Sequence, residues 1–156
     1  MQKYAYLILI CAIFIFDRWT KELIVERLPY LTSVSVTFFL NIVHARNYGG
    51  AFGFLSQNPI GKYVLLFLPI AITAGLMVYL LMGSMSASLR TSLCAVLAGA
   101  IGNLYDRISF GYVIDFIDVY YQGYHWPAFN VADSAITLGI AGWLYLHLYS
   151  SSPSRE

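Results

Sequence analysis

The sequence has little charge and few residues that could bind a metal or form a structural disulfide. Only 11% of its 156 residues are charged, whereas soluble domains have about 25%. Its net charge is +1 and it has no basic run, so we expect no binding to nucleic acid. Cys11 and Cys94 both fall inside apolar runs, and neither a CxxC nor an HExxH motif occurs. With 59% hydrophobic residues, the composition is typical of a membrane protein.

Four apolar stretches predict an all-α membrane domain, because a spanning helix needs about 20 mostly apolar residues. The predicted spans are 4–25, 62–82, 88–106 and 127–149, and together they make residues 1–156 one integral membrane domain. We expect the first helix to stay uncleaved. Its apolar core runs into Asp17-Arg18-Trp19-Thr20-Lys21 and not into a small-residue cleavage site. Four spans put both termini on one side, but the positive-inside rule does not decide which side.

The two longer connections fall on the same face of the predicted bundle. Between the first two helices, the stretch from Val34 to Ile42 alternates apolar and polar residues, which predicts a half-buried strand. Between the last two helices, Gly123 and Pro127 predict a reversal of the chain.

Two aspartates, Asp115 and Asp133, flank that reversal and should lie at the same depth of the membrane. An ionisable group at a bilayer boundary is a candidate functional site. A close pair of carboxylates can act as acid and base on a water molecule. The spacing leaves two interpretations equally open. The aspartates form a catalytic pair, or each is an interfacial residue paired with Arg107, Arg90 or backbone amides.

Four motifs shift that balance. They are Asp17-Arg18-Trp19-Thr20-Lys21, Asn47-Tyr48-Gly49-Gly50-Ala51-Phe52-Gly53, Gly99-Ala100-Ile101-Gly102-Asn103-Leu104-Tyr105-Asp106-Arg107 continuing to Asp115-Phe116, and Phe129-Asn130-Val131-Ala132-Asp133-Ser134. In this order, on four predicted spans, they resemble the bacterial type II signal peptidases, the lipoprotein signal peptidases. The resemblance runs from Asp17 to about Ile136. Gly50 departs from it, since the family often has alanine there.

The resemblance implies an aspartic endopeptidase that removes the signal peptide of a prolipoprotein just before a cysteine carrying diacylglycerol. Asp115 and Asp133 match its catalytic pair, and no metal or other cofactor is expected. The positions that match its substrate site are Asn47, Gly49, Asn103, Arg107, Asn130 and Ala132. Asp17, Lys21 and Asp106 match structural motif positions.

The resemblance also implies a place in the cell and an architecture. The fold would be a four-helix membrane bundle with a small extracytoplasmic β-rich cradle between helices one and two. Both termini would be cytoplasmic, in the inner membrane of a bacterium, with the active site near the outer face. The partners would be membrane lipid and diacylglyceryl-prolipoprotein substrates, and the protein would act as a monomer.

Several residues keep two interpretations. Arg107 pairs with a substrate carbonyl or phosphate, or it fixes Asp106 or a loop. Asp17 and Lys21, four residues apart on one helix face, can form an ion pair that braces the bundle.

Two other functions compete with proteolysis. The carboxylates could serve a small proton- or ion-coupled transporter, or the protein could be a scaffold that binds lipidated partners without cleaving them.

Overall fold

The computed structural model describes residues 2–49 and 59–150, and within them it has four long helices and one four-stranded antiparallel sheet. The helices are α1 (Gln2–Arg27), α2 (Pro59–Met82), α3 (Ala87–Phe110) and α4 (Val131–Ser150). The strands are β1 (Ser33–Thr37), β2 (Leu40–Asn47), β3 (Val113–Tyr121) and β4 (Tyr124–His125). Residues 50–53 of the motif that begins at Asn47 lie outside the described residues.

Within residues 2–49 and 59–150, three helices are long and apolar enough to cross a membrane. These segments are Tyr63–Met82 of α2, Ala87–Phe110, which is all of α3, and Val131–Tyr149 of α4. The 26-residue α1 is not among them, because its second half carries charged residues that include Asp17, Arg18, Lys21 and Glu22. The protein is therefore mostly helical, with three membrane-capable helices and a small sheet.

Two helix boundaries differ from the predicted ones by four residues, for local reasons. α3 continues to Phe110 and ends at Gly111, whose left-handed φ of 80° lets its N–H cap the carbonyl of Arg107. α4 begins only at Val131, whereas the prediction began it at Pro127. The residues just before it run alongside β3, where Phe129 and Ile117 exchange backbone hydrogen bonds of 3.0 and 2.8 Å.

The sheet corrects the prediction of a cradle between helices one and two alone. Its strand order is β1-β2-β3-β4, so two strands come from the first connection and two from the second. The predicted reversal near Gly123 is confirmed. Gln122 and Gly123 have φ of 48° and 82° and form the two-residue turn between β3 and β4.

The prediction of one half-buried strand from Val34 to Ile42 is wrong. The stretch forms two strands, β1 and β2, joined by a turn at Phe38 and Phe39. Every residue of β1 is exposed, and β1 is an edge strand whose neighbour in the sheet is β2.

α3 packs against all three other helices, and most closely against α4. Glycines allow this approach, as they do in many membrane helix pairs. A Cβ added at Gly99 would collide with the carbonyl oxygen of Ala132, and one at Gly139 would come within 2.6 Å of the carbonyl oxygen of Ser92. The close contact brings the polar end of α3, with Asn103, beside the first turn of α4.

Candidate active site

The structure brings Asp115 and Asp133 into one hydrogen-bonded group. Asp115 lies in β3 and is only 3% exposed. Asp133 lies in the first turn of α4. Among the described residues, neither carboxylate has an ion-pair partner. The alternative in which Arg90 pairs with an aspartate fails, because its guanidinium donates to the carbonyls of Leu80 and Gly83.

Asn130, fully buried, joins the two aspartates. Its side-chain Nδ2 donates to Asp115 Oδ1 at 2.7 Å. Its Oδ1 accepts from the backbone N–H of Asp133 at 2.9 Å, and its own N–H donates to Asp133 Oδ2 at 3.3 Å. This reciprocal pair is a capping box, which satisfies backbone donors at the start of α4. The cap therefore also sets the spacing between the two carboxylates.

Asn47 at the end of β2 makes the second contact with Asp115. Its Nδ2 donates to Asp115 Oδ2 at 3.1 Å, while its Oδ1 accepts from the N–H of Gly49 at 3.0 Å. Gly49 has φ of 122°, which a residue with a side chain rarely adopts. Gly49 thus orients the Asn47 amide, and this explains its place in the motif.

The pKa of Asp115 rises from its ordinary value of 3.8 to about 6. Burial is the main cause, and the nearby Asp133 carboxylate adds to it. Hydrogen bonds from Asn47 and Asn130 and the charge of Lys21 oppose the rise. As pH falls, Asp115 therefore takes up a proton at a higher pH than an ordinary aspartate does.

Asn103 on α3 links Asp133 to a buried ionic cluster. Its Nδ2 donates to Asp133 Oδ1 at 2.7 Å, and its Oδ1 accepts from Lys21 Nζ at 3.2 Å. Lys21 also pairs with Asp17 at 2.8 Å and with Asp106 at 2.9 Å. The predicted ion pair on α1 is thus present. Three residues of the ionic cluster are fully buried, namely Asp17, Lys21 and Asp106.

The remaining predicted residues have clear but indirect places. Ala132 is fully buried, and its N–H donates to Asp17 Oδ1 at 2.9 Å. Arg107 is half-buried and donates weakly to the carbonyl of Asn103 at 3.4 Å. Asp106 pairs with Arg18 as well as Lys21, so Arg107 is not the residue that fixes it.

A groove of about 610 Å³ opens beside Asp133. It is lined by Trp126, Phe129, Asp133, Ser134, Thr137 and Leu138. A smaller cavity of about 290 Å³ lies between α1 and α3, and its lining includes Arg18, Glu22 and Tyr105. Because only the larger groove contacts a carboxylate of the pair, it is the candidate substrate groove.

Two features were not identified from the sequence, one within the site and one in the ionic cluster outside it. One is the capping box, although an asparagine three residues before an aspartate at the start of an apolar run is a usable signal for it. The other is Arg18, which pairs with Asp106 from 88 positions away in the chain and stacks on the Tyr105 ring at 4.8 Å. No local pattern predicts that partnership.

Comparison with known proteins gives the same assignment as the motifs. The family model described as signal peptidase (SPase) II matches residues 9–149 of the chain. The chain belongs to the signal peptidase II family. It is therefore a protease by family and a multi-pass membrane protein.

Individual relatives agree with this family. The chain is 44% identical over 146 residues to the lipoprotein signal peptidase of Syntrophus aciditrophicus, covering 90% of this chain and 91% of that one. It is 43% identical over 137 residues to the one from Pseudoalteromonas atlantica, covering 86% and 83%. Two solved structures of bacterial membrane enzymes match the signal peptidase II fold described above. Both are 31% identical to this chain. The first has a TM-score of 0.85, and the match covers 97% of this chain and 92% of that one. The second has a TM-score of 0.80, and the match covers 95% of this chain and 94% of that one.

Proposed function

We propose that the protein is an aspartic endopeptidase that removes the signal peptide from diacylglyceryl-modified prolipoproteins, cutting just before the lipidated cysteine. The observation that carries the proposal is the bridge made by Asn130. Its side-chain Nδ2 donates to Asp115 and its side-chain Oδ1 accepts from the backbone N–H of Asp133, so that one residue holds both aspartates. Such a pair holds one proton between its two members at neutral pH more readily than an isolated carboxylate does.

The two aspartates take different roles in the proposed mechanism. Burial favours the protonated form of Asp115, whose pKa is about 6. Asp133 sits at the N-terminus of α4, where the helix dipole favours a negative charge, and it accepts from Asn103 and from the backbone of Asn130. We therefore assign Asp133 as the base and Asp115 as the acid.

The reaction needs no group beyond the pair and a water molecule. Asp133 takes a proton from water while the water oxygen bonds to the scissile carbonyl carbon and Asp115 gives its proton to the carbonyl oxygen. The tetrahedral diol then collapses: Asp133 protonates the departing nitrogen, the C–N bond breaks, and the diol proton returns to Asp115. Both aspartates end as they began.

The remaining predicted residues serve this chemistry in the proposal. Asn47 and Asn130 orient Asp115, and Asn103 orients Asp133. Arg107 lies near enough for its charge to interact with both carboxylates and can bind a substrate carbonyl. The mostly apolar groove beside Asp133 suits a signal peptide and an acyl chain. Asp17, Lys21 and Asp106 brace α1 against α3.

The proposal includes four spans in one membrane domain. The charges in α1 do not oppose this, because Asp17 and Lys21 are fully buried and Arg18 pairs with Asp106. Lipid would then contact the exposed apolar residues of α1, such as Leu7 and Ile8. Both termini would be cytoplasmic in the bacterial inner membrane. The sheet and the carboxylates would lie at the outer face of a monomer.

Transport is the weaker alternative. A proton or ion path needs ionisable groups near the middle of the membrane. Here Asp115 lies in a strand outside the helices and Asp133 lies in the first turn of α4. The positions favour chemistry at one face of the membrane. They do not separate an enzyme from a scaffold that binds lipidated partners, so the deciding test is cleavage.

The test uses purified protein and a lipopeptide that carries a diacylglyceryl cysteine after a signal sequence. We expect the wild type to cleave it before that cysteine, and Asp115→Asn and Asp133→Asn to lose activity by at least about a thousandfold, because each removes the acid or the base. Asp118→Asn is the matched control, since Asp118 lies in the same strand but binds Asn41 and His125 instead. Full activity in either dyad variant, or no cleavage by the wild type, would refute the proposal.

A further inference from the structure

Lys21 is a fully buried cation whose ammonium lies between two carboxylates and one amide. It forms ion pairs with Asp17 at 2.8 Å and Asp106 at 2.9 Å, and it donates to Asn103 Oδ1 at 3.2 Å. Two of these partners are carboxylates. The third is the neutral amide of Asn103, which also contacts Asp133 in the candidate active site.

The contact with Asn103 decides which way that amide points. Lys21 donates only, so it selects the oxygen of the amide, and the NH₂ group must face Asp133. That group donates to Asp133 Oδ1 at 2.7 Å. Asn130 Nδ2 also approaches Asn103 Oδ1, at 3.2 Å, and favours the same orientation. If the Asn103 amide were flipped, its NH₂ group would face the donors of Lys21 and Asn130, and its oxygen would face the Asp133 carboxylate.

A second route from Lys21 reaches Asp133 through the backbone. Lys21 holds Asp17 Oδ2, and Asp17 Oδ1 accepts from the N–H of Ala132, the residue just before Asp133. Gly102 of α3 makes room for this carboxylate, since a Cβ there would lie 2.8 Å from Asp17 Oδ2. The side chain and the backbone of the proposed base are thus both tied to one ammonium.

We propose that Lys21 is a positioning residue for hydrolysis, which holds Asp133 in its reactive geometry through Asn103 and through the Asp17–Ala132 contact. This inference rests on the proposed function. It goes beyond bracing, because bracing requires only that the buried charges be neutralised. Positioning requires the specific donation from Lys21 to Asn103.

The charges around Lys21 make this distinction testable. Asp17 and Lys21 come from α1, and Asp106 comes from α3, where Arg107 adds a further charge nearby. Arg18, also on α1, supplies the second cation of the cluster by pairing with Asp106. The four residues Asp17, Arg18, Lys21 and Asp106 therefore balance one another. On the dyad side, Asp115 and Asp133 face the cluster.

The experiment compares Lys21→Met with Arg18→Met in the lipopeptide cleavage assay. Each variant removes one cation of the same cluster from the same helix, the fully buried Lys21 or the partly buried Arg18, but of the two only Lys21 contacts Asn103. We expect kcat of Lys21→Met to fall by about tenfold to a hundredfold, the range that one hydrogen bond to a charged group supports. KM should stay within about twofold, because the substrate groove is untouched. Arg18→Met should keep kcat within about threefold, in line with a loss confined to an ion pair remote from the reacting atoms.

A folded reference keeps the test decisive if Lys21→Met does not fold. The pair Asp17→Asn with Lys21→Met removes one charge of each sign, and the new asparagine can still accept from Ala132. It should fold, as judged by its thermal unfolding transition, and should show the same drop in kcat. Equal kcat in this pair and the wild type, or equal losses in Lys21→Met and Arg18→Met, would overturn the positioning role.

A double-mutant cycle checks that Lys21 acts through Asn103. In an Asn103→Ala background, Lys21→Met should lower kcat by clearly less than it does in the wild-type background, because residues that act on one another are not additive and only the Asp17–Ala132 contact then remains to be lost. Additive losses would contradict the inference. These outcomes are separate from failure of the proposed function, which would appear as absence of cleavage by the wild type.

Discussion

Asn130 and Asp133 cap each other at the start of α4, and the spare amide donor of Asn130 reaches across to Asp115 at 2.7 Å. The same three contacts end the extended segment, start the helix and bring the two carboxylates together. The helix cap and the candidate active site are therefore one structural unit. A substitution at Asn130 affects both, and the choice of replacement separates the two effects.

Replacing Asn130 with serine should separate capping from catalysis. Serine caps helices as well as asparagine does, but it has no amide to donate to Asp115. We expect Asn130→Ser to change the free energy of unfolding by about 1 kcal/mol or less, while kcat/KM falls by at least about tenfold. Asn130→Ala is the control and should lose about a further 1 kcal/mol of stability. Thermal unfolding in detergent and the cleavage assay measure the two quantities; an Asn130→Ser enzyme with normal kcat/KM would remove Asn130 from the mechanism.

The raised pKa of Asp115 should make stability depend on pH. Its pKa is about 6 in the folded protein and 3.8 in the unfolded chain, so between these values the folded state binds more protons. The contribution of Asp115 is fully present below pH 3.8 and is lost as pH rises through about 6. A difference of about two pH units corresponds to about 3 kcal/mol.

The measurement is the free energy of unfolding at pH 4 and pH 7, for the wild type and Asp115→Asn. We expect the wild type to lose about 2 kcal/mol more than the variant over this interval, because pH 4 already lies above the pKa of the unfolded chain. Asp133→Asn should reduce the stability that the protein loses between pH 4 and pH 7, because the Asp133 charge contributes to the raised pKa of Asp115. Identical pH profiles for the wild type and Asp115→Asn would show that Asp115 is not desolvated as described.

Asp115 also shows where sequence reasoning succeeds and where it stops. Hydropathy predicted the helices α2, α3 and α4 to within about four residues, because each is a long apolar run. It did not predict β3. The run from Val113 to Phe116 is buried on both faces, so it lacks the alternation that reveals a half-buried strand. Asp115 also disguises the strand, since its partners Asn47 and Asn130 come from elsewhere in the chain.

The motifs pointed to the residues of the site, but only the fold assigns their contacts. The i, i+4 spacing was enough to predict the pair of Asp17 and Lys21. The contact of Asp17 with Ala132 joins residues 115 positions apart, and it exists because glycines let α3 approach its neighbours closely. Long-range polar contacts of this kind depend on helix packing, which a single sequence does not encode in any local pattern.

Glycine at position 99 should therefore be essential to the fold. A Cβ there would collide with the Ala132 carbonyl and lie 2.8 Å from Ile136 Cγ1, so Gly99→Ala must push α4 away from α3. We expect a loss of at least about 2 kcal/mol in the free energy of unfolding, with lower activity, since Ala132 adjoins Asp133. Gly75→Ala is the matched control, because nothing lies within 4 Å of a Cβ at Gly75 in α2, and it should be neutral. Equal stability of the two variants would argue against close packing at Gly99.

The final prediction concerns α1, whose charges exclude it from the helices that composition alone marks as spans. Composition counts every charge as if it faced lipid. Here Asp17 and Lys21 are buried and paired, and Arg18 binds Asp106, so these three charges would not face lipid. We expect α1 to span.

If α1 spans, the two ends of this helix must lie on opposite sides of the membrane. Single cysteines in a background with Cys11 and Cys94 replaced by serine can report this through a membrane-impermeant thiol reagent. Ser35→Cys in the exposed strand β1 should react in intact spheroplasts. Ser84→Cys lies in the short connection between α2 and α3 and should react only after the membrane is opened. The same is expected of a single cysteine in a peptide tag placed ahead of α1. A tag that reacts from the same side as Ser35→Cys would mean that α1 does not cross, and the bundle would then have three spans.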